Sequence, residues 1–591
     1  MSERNRRSRN LCLLCALYVA AVLVLWGASG AEPAPSLGDC PLRFAVIGDR
    51  TGTAIAGKYE EILLEVERLQ PELAITVGDM IEGYTGDTTE IKRQWQEYRE
   101  IVRPLTMPLY FTPGNHDITQ PEVMDQYRRM MGEPHHSFDV RGVHFVVLDN
   151  GRYPTVRDFP EEQLAWLTDD LARHQDAAYT FVFFHIPYWL DTVAKGNSDS
   201  LHDLFVRYGV DGVFTGHNHD YFSGRYDGIM YTGVGASGAE ATPGLTGLEH
   251  HFVWVTVGAA GITIAPIKIG SVRPWEEVTA KDIILVYKIQ SEAIEVSQVP
   301  VGEALTCPET PVKVTVKNIH SDRPLSVSVK WQTPDGWTVT PGERALEIAS
   351  LGSGTAEFTV ASTASLYPVP IVSIDYTIAD GLTRELERSL PIARTVYAYK
   401  AGRPPKIDGV IDEDVWRAPV TAFFAPDGAP VATDPVRFYF AWDRSNLYVA
   451  AKCTEKEMGS IAADCKVQDC TVYAEDCVGY FLEPETADGP VYQIYFNPLG
   501  TAFDQKITVK GGWSVEADAK WNGKYEVKTS KDADSWSIEA RIPLKALATI
   551  AKPGKHWKLN FRRKQKRLGT SADWQVPVGY DPVNYGVLEL K

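Results

Sequence analysis

At 591 residues the chain is too long for one hydrophobic core, and the usual domain size of roughly 100–200 residues predicts three or four units. Its 44% hydrophobic, 11% aromatic and 23% charged residues are those of folded globular protein, so disorder is not the default. The formal charge of −18 excludes nucleic acid as a bulk partner, because phosphate backbones are gripped by dense Lys/Arg surfaces.

The chain opens with Arg4, Arg6, Arg7 and Arg9, followed by an uncharged, mostly apolar run from Leu11 to Trp26. That pattern predicts an export signal over residues 1–30, cut near Gly30–Ala31 behind the small residues Ala28 and Gly30. The mature chain is then secreted, periplasmic or held at the cell surface, with no membrane span. Retention of residues 11–26 as a membrane anchor is the alternative, although the run is shorter than the ~20 residues a spanning helix needs. Cys40, Cys307, Cys453, Cys465, Cys470 and Cys477 survive cleavage. The last four cluster without a paired C-x-x-C, which predicts at least one local disulfide in an oxidising compartment rather than a zinc knuckle.

From 41 to 275, short apolar strands alternate with amphipathic helical stretches. "LRFAVIGD" and "ELAITVGD" read as buried strands flanking the helix "YEEILLEVERLQ", and "PLYFTPGNHD", "HFVVLDN", "YTFVFFHIP" and "VDGVFTGHNHD" repeat the strand-into-polar-loop grammar. This predicts an α/β layered domain, whose ligands collect at the carboxyl ends of strands. From 276 to 395 the helical period disappears and period-two segments such as "VKVTVKN" and "LSVSVKWQ" predict an immunoglobulin-like β-sandwich. From 396 to 591 a second, larger β-sandwich is expected. It holds Trp416, Trp442, Trp513, Trp521, Trp536, Trp557 and Trp574, most of them as core. The basic run Arg562, Arg563, Lys564, Lys566 and Arg567 reads as a solvated strand and turn.

The first domain places ionisable residues at strand ends: Asp49 in "IGDR", Asp79 in "VGDM", Asn115, His116 and Asp117 in "GNHD", His185 in "FHIP", and His217 and His219 in "GHNH". A lone Gly-Asp after a strand is more often a turn, and a lone His there a core residue. Five such motifs in order, each at the same topological place, point to one site. Carboxylates and an amide oxygen are hard ligands and imidazoles suit Zn, Fe, Ni or Mn, so the set fits two adjacent divalent or trivalent metal ions. A pair of ions about 3.5–4 Å apart can hold the attacking and leaving oxygens of a phosphoryl displacement and deliver hydroxide near neutral pH.

These motifs resemble the calcineurin-like metallophosphoesterase superfamily, which includes purple acid phosphatases, protein phosphatases and cyclic-nucleotide phosphodiesterases. The resemblance implies two ions (Fe, Mn or Zn), bridged by Asp79, with Asn115, His185 and His217 at one and Asp49 and His219 at the other. It also implies that His116, oriented by Asp117, protonates the leaving oxygen or stabilises the transition state. The family commonly has Asp-x-His at the first motif, where this chain has Thr51, and the purple acid phosphatases recruit a tyrosine three residues after the second aspartate, where this chain has Glu82 and, two further on, Tyr84. The first ion therefore loses a strong ligand. Arg50 is a candidate to hold a phosphate oxygen bidentately, against the alternative of a surface ion pair, and Thr51 a candidate turn cap. The glycines of "GIMYTGVGASG" could bring backbone N–H groups to an anion, or simply form a hairpin and turn.

"PPKIDGVIDEDVW", "VRFYFAWDRSNLYVAA", "EDCVGYFLEP", "YQIYFNPLG", "SWSIEARIP", "WKLNFRR" and "YGVLEL" look like the family 9 carbohydrate-binding module. That resemblance implies polysaccharide or cell-surface glycan as a partner, held by exposed indoles with polar side chains or calcium fixing the hydroxyls. Trp416 and Trp442 read as core, Trp513 and Trp521 as loop residues. The expected function is an exported metal-dependent phosphoesterase that cleaves a phosphomonoester or phosphodiester and is targeted to a glycan. A surface glycan-binding or scaffold protein carrying a degenerate phosphoesterase domain is the alternative.

Overall fold

The computed structural model describes residues 40–591 except 86, 119–120, 242–248, 303–304, 364–365, 380–381, 485–488 and 512–513. The expected export signal, residues 1–30, lies outside the described residues. Among the described residues no helix is long and apolar enough to cross a membrane. The chain divides into two compact units, Met1–Ile283 and Ile284–Lys591.

The first unit contains two six-stranded mixed sheets. One has the order β12-β11-β10-β1-β2-β3, built from β1 (Leu42–Ile47), β2 (Leu73–Thr76), β3 (Leu109–Tyr110), β10 (His251–Gly258), β11 (Gly261–Lys268) and β12 (Ser271–Val272). The other has the order β4-β5-β6-β7-β9-β8, from β4 (His136–Val140), β5 (Val143–Val147), β6 (Tyr179–Phe183), β7 (Gly212–Thr215), β8 (Phe222–Tyr226) and β9 (Ile229–Gly233). Strand β1 shows why its sequence is almost wholly apolar. Its alternate residues serve two cores. Phe44 meets Phe145, Phe181, Phe183 and Phe214 of the second sheet at ring-centroid distances of 5.2–6.4 Å. Ala45 and Ile47 face the other way, in a cluster with Tyr59, Ile62 and Val66 of helix Lys58–Leu69 and Ile91, Trp95 and Tyr98 of helix Thr88–Val102. Each helix therefore repeats apolar residues three or four apart, the period read in the sequence.

In the first sheet β1, β2 and β3 are mutually parallel, and in the second β5, β6, β7 and β9 are. Parallel strands end at a shared edge, so the loops after β1, β2, β3, β6 and β7 carry Asp49, Asp79, Asn115, His185 and His217 at carboxyl ends.

The second unit opens with the end of helix Ala280–Glu292, which the sequence reading had missed inside a region where the helical period was expected to vanish. Its contiguous "IILV" hides the period, although Ile283, Val286 and Ile289 are the buried positions. The overlooked signal is a capping box. Asp282 Oδ2 accepts from Thr279 N (2.8 Å), and Thr279 Oγ1 accepts from Asp282 N (3.4 Å). Two four-stranded antiparallel sheets follow, and strand Leu325–Gln332 alternates buried and outward residues along its length as a half-buried strand must. The rest of the unit is one long sheet bent through Thr395–Lys400 into two packed halves, with Phe438 and Phe440 meeting Tyr480 and Phe561 between them. Cys465 and Cys470 form the expected local disulfide, while Cys307, Cys453 and Cys477 are buried thiols and Cys40 an exposed one.

Of the seven tryptophans, Trp416, Trp442, Trp536, Trp557 and Trp574 are buried. Trp521 is half-buried in a loop against Tyr492 and Tyr525, and Trp513 lies outside the described residues. The basic run forms the expected strand and turn, and Lys566 is exposed, but its arginines are not simply solvated. Arg563 is fully buried, donating to Asp434 O (2.9 Å) and pairing with Glu455, Arg567 bridges Asp434 and Glu455 at 2.8 Å each, and Arg562 bonds Asp573 (2.9 Å). Carboxylates placed far away in sequence bury this charge, which no local run of basic residues reveals.

Candidate metal centre

The motifs are held by hydrogen bonds to one another and to the segment after the last of them. Asp49 follows β1, and its carbonyl accepts from Ser237 N (3.0 Å), Gly238 N (2.9 Å) and Ala239 N (3.1 Å). Those N–H groups are spent on Asp49, so the glycine-rich segment offers them to no anion. Asp49 Oδ2 accepts from His217 N (2.8 Å) and lies 3.5 Å from His219 Nε2. Asp79 Oδ1 accepts from His116 N (2.9 Å), and Asp79 Oδ2 lies 3.2 Å from His185 Nε2. Asn115 Oδ1 sits 2.9 Å from His185 Nε2 and 2.8 Å from His217 Nδ1. The packing is too close for larger residues: a Cβ on Gly114 would stand 2.2 Å from Asp79 Oδ1, and one on Gly216 2.4 Å from Asp49 Oδ1. Asp79, His217 and His219 all adopt left-handed backbone (φ +60°, +75° and +57°), at a cost of roughly 1–3 kcal/mol each that the surrounding hydrogen bonds sustain.

Main-chain acceptors set the imidazole tautomers. His185 Nδ1 donates to Val77 O (2.8 Å) and His219 Nδ1 to Glu240 O (2.8 Å), which turns both Nε2 atoms toward the carboxylates. Asp49 Oδ1 is buried with no hydrogen-bond partner. Ligand atoms of Asp79, His185 and His217 lie within 4.8 Å of one another around the Asn115 amide oxygen, with Asp49 and His219 paired beside them, and this donor set fits metal ions.

Crowding of these buried groups shifts their titration. Burial holds Asp49 well above the ordinary carboxylate range, opposed by His185. Burial pushes Asp79 the same way, but the His185 charge and hydrogen bond outweigh it and bring Asp79 down to about 2. His185, which burial alone would lower, is carried up to about 9 by Asp79. Burial and then the neighbouring His185 hold His217 down to about 3, and burial lowers His219.

Three expectations change. Asp117 does not orient His116: its buried carboxylate accepts from Asp79 N, Met80 N and Gly114 N (2.9 Å each) and Ile81 N (3.2 Å), clamping the second motif to the third. Burial, and then the charge of Asp79, raise Asp117 to about 6. His116 Nδ1 is instead bonded to Glu82 O (2.7 Å). Arg50 forms the ion pair that was its alternative reading: one guanidinium nitrogen donates to Met80 O (2.9 Å) and the other pairs with Glu97 (2.6 Å). Thr51 caps nothing: its hydroxyl is buried and makes no hydrogen bond.

Sequence reading also passed over Asn150, whose Oδ1 accepts from His185 N (2.9 Å) and Ile186 N (3.0 Å) and so fixes the turn that presents His185. The signal was available in "VVLDN", one more polar pair at the end of a strand in the same sheet.

A second cluster, Asp139, His144 and His174, also brings potential ligand atoms within 4.8 Å. The two rings stack at 3.9 Å and 15°, so their in-plane lone pairs cannot converge on one ion. His144 Nδ1 meets Asp139 Oδ1 (2.8 Å) and its Nε2 meets Asp170 Oδ2 (3.0 Å), the setting of a doubly protonated ring. Burial would lower its pKa, but the two carboxylates outweigh burial and raise it. A raised histidine pKa stabilises the folded state fully below the unfolded value of about 6.5, and that contribution is lost as pH rises through the folded value. The melting-temperature gap between wild type and His144→Gln should therefore be larger at pH 6 than at pH 9; an equal gap at both removes the imidazolium.

Residues 42–221 match the calcineurin-like phosphoesterase family and residues 407–591 the carbohydrate family 9 binding domain-like family. The chain is similar to serine/threonine-protein phosphatase CPPED1 of Homo sapiens, 29% identical over 180 residues that cover 27% of this chain and 57% of that protein. It is similar to purple acid phosphatase 18 of Arabidopsis thaliana, 28% identical over 204 residues, 31% of this chain and 44% of the relative. The chain thus spans little more than half the length of the first of these relatives and less than half of the second. A solved carbohydrate binding module family 9 from Caldicellulosiruptor kristjanssonii, in complex with glucose, is 19% identical with a TM-score of 0.25, covering 33% of this chain and 95% of that one. Residues 42–221 are therefore a calcineurin-like phosphoesterase domain, joined in one chain to a carbohydrate family 9 binding domain-like module at residues 407–591.

Proposed function

We propose that the protein is an exported, metal-dependent phosphoesterase that hydrolyses a phosphomonoester or phosphodiester and is brought to a glycan by its C-terminal module. The observation that carries this reading is the convergence of Asp79, Asn115, His185 and His217, with Asp49 and His219 beside them, around lone pairs that call for cations. Bound Fe, Mn or Zn would polarise a phosphoryl oxygen and make water nucleophilic near neutral pH. Asp79 would lie between two ions, Asn115, His185 and His217 would hold one, and Asp49 and His219 the other, with Thr51 adding at most a neutral hydroxyl. His116 would present Nε2, 4.0 Å from Asp79 Oδ2, to the leaving oxygen, its ring set by the Nδ1–H bond to Glu82 O.

In the glycan role, burial of Trp416, Trp442, Trp536, Trp557 and Trp574 leaves Trp521 and Trp513 as the candidate indoles for stacking on a sugar. One experiment tests both halves. The full mature chain, loaded with Mn, Fe or Zn, should release nitrophenol from nitrophenyl phosphate or its bis-aryl diester, lose that activity to a chelator, and sediment with an insoluble polysaccharide. Zero metal by elemental analysis together with no turnover ends the enzymatic reading, and retention on the polysaccharide would then favour a glycan-binding scaffold.

A further inference from the structure

The loop Glu82–Tyr84 follows Asp79 by three residues and lies against the "GNHD" segment. Three contacts tie the two together. Glu82 O accepts from His116 Nδ1 (2.7 Å), Tyr84 Oη accepts from Asn115 Nδ2 (2.8 Å), and the Tyr84 ring meets the His116 ring edge-on at 4.6 Å and 83°. The backbone is shaped for this contact. Gly83 has φ +57°, and a Cβ there would fall 1.8 Å from His116 O; Tyr84 itself has φ +47°, an uncommon conformation for an aromatic residue. Helix Thr88–Val102 anchors the loop from behind, where Gln94 Oε1 accepts from Gly83 N (2.9 Å).

The Asn115 amide has two ends of nearly equal shape and opposite chemistry. Its oxygen offers lone pairs and its nitrogen offers only hydrogens. With Oδ1 inward, toward His185 Nε2 and His217 Nδ1, the amide can serve a cation; with the nitrogen inward, it repels one. The choice is made at the other end, where the Tyr84 hydroxyl accepts the Nδ2–H.

We propose that Tyr84 is a positioning residue of the phosphoesterase site: its hydroxyl holds the Asn115 carbonyl oxygen toward the histidines, and its ring braces His116. The inference rests on the metal-centre reading above. It assigns to the 82–84 loop the orienting role that Asp117 does not fill. Tyr84 is 58% exposed, so removing its hydroxyl opens no core and a purely structural role predicts no change in ion binding.

The test uses the full-length protein, Mn²⁺ alone as the probe, and the variants Tyr84→Phe and Tyr84→Ala. By calorimetric titration, Tyr84→Phe should weaken one of two Mn²⁺ sites about 10–100-fold, the range for loss of a group that orients a ligand, with the metal-free melting temperature unchanged. On nitrophenyl phosphate at saturating Mn²⁺, kcat should fall for Tyr84→Phe and further for Tyr84→Ala, which also loses the brace on His116, while KM holds. Wild-type affinity and kcat in Tyr84→Phe overturn the inference. If wild type binds Mn²⁺ but turns over no phosphoester, the functional reading fails while the Mn²⁺ arm still decides Tyr84; if wild type binds no Mn²⁺, both fall together.

Discussion

Asp79→Ala should lower kcat/KM on an aryl phosphate by at least about 10³-fold, a loss of roughly 4 kcal/mol of transition-state stabilisation, and should remove bound metal as read by elemental analysis. The size of the effect follows from how many motifs meet at this one residue. Its carboxylate touches His116 N and His185 Nε2, and its carbonyl accepts from Arg50 N and Thr51 N (3.1 Å each), so four of the five strand-end motifs are in contact through it. The bonds to the Asp79 carbonyl survive the substitution, whereas the charged group between the two halves of the site and the acceptor of His116 N are lost. Asp79→Asn separates chemistry from folding, because asparagine tolerates the left-handed backbone at this position (φ +60°) while carrying no charge. It should fold like wild type and still lose activity by about 10²-fold or more. Full metal content and near-normal turnover in Asp79→Ala would remove the basis for a two-ion site.

Asp117→Ala should instead act on stability. Four buried amide N–H groups, of Asp79, Met80, Ile81 and Gly114, lose their shared acceptor, and each unsatisfied donor costs about 1–3 kcal/mol before water or local relaxation compensates. We expect the first unit to lose roughly 3 kcal/mol or more in denaturant unfolding, with faster amide exchange at residues 79–81. Asparagine gives little rescue, since its amide nitrogen would confront donors. A variant of wild-type stability and protected amides, but with low kcat, would return Asp117 to the role of orienting His116. The two aspartates thus have separable signatures, although they lie in adjacent motifs and bond to each other's segments.

Much of the site was legible because its positions depend on local rules. Asp49, Asp79, Asn115, His185 and His217 each end an apolar run, and parallel strands bring their carboxyl ends to one edge whatever the loops between them contain. The disulfide Cys465–Cys470 was legible for a similar reason, since a short chain separation keeps the partners close. The partners of Arg50, Asp117, Arg563 and Arg567 were not legible for the opposite reason: Glu97, the amides of residues 79–81, and Asp434 and Glu455 lie far along the chain from the groups they bind. Helix Ala280–Glu292 was obscured by an unbroken apolar tetrad, which carries no period of its own.

From sequence alone came the order of the layers, the strand-end placement of the candidate ligands and the chemistry those residue types favour, because periodicity and side-chain type are properties of short stretches. Tertiary structure alone decided which way each functional group points: His185 with Nε2 inward, Asn115 with its oxygen inward, Asp117 turned onto the backbone, Arg50 turned onto Glu97. Direction is set by the nearest donor or acceptor in space, and for every one of these groups that partner lies on another segment of the chain.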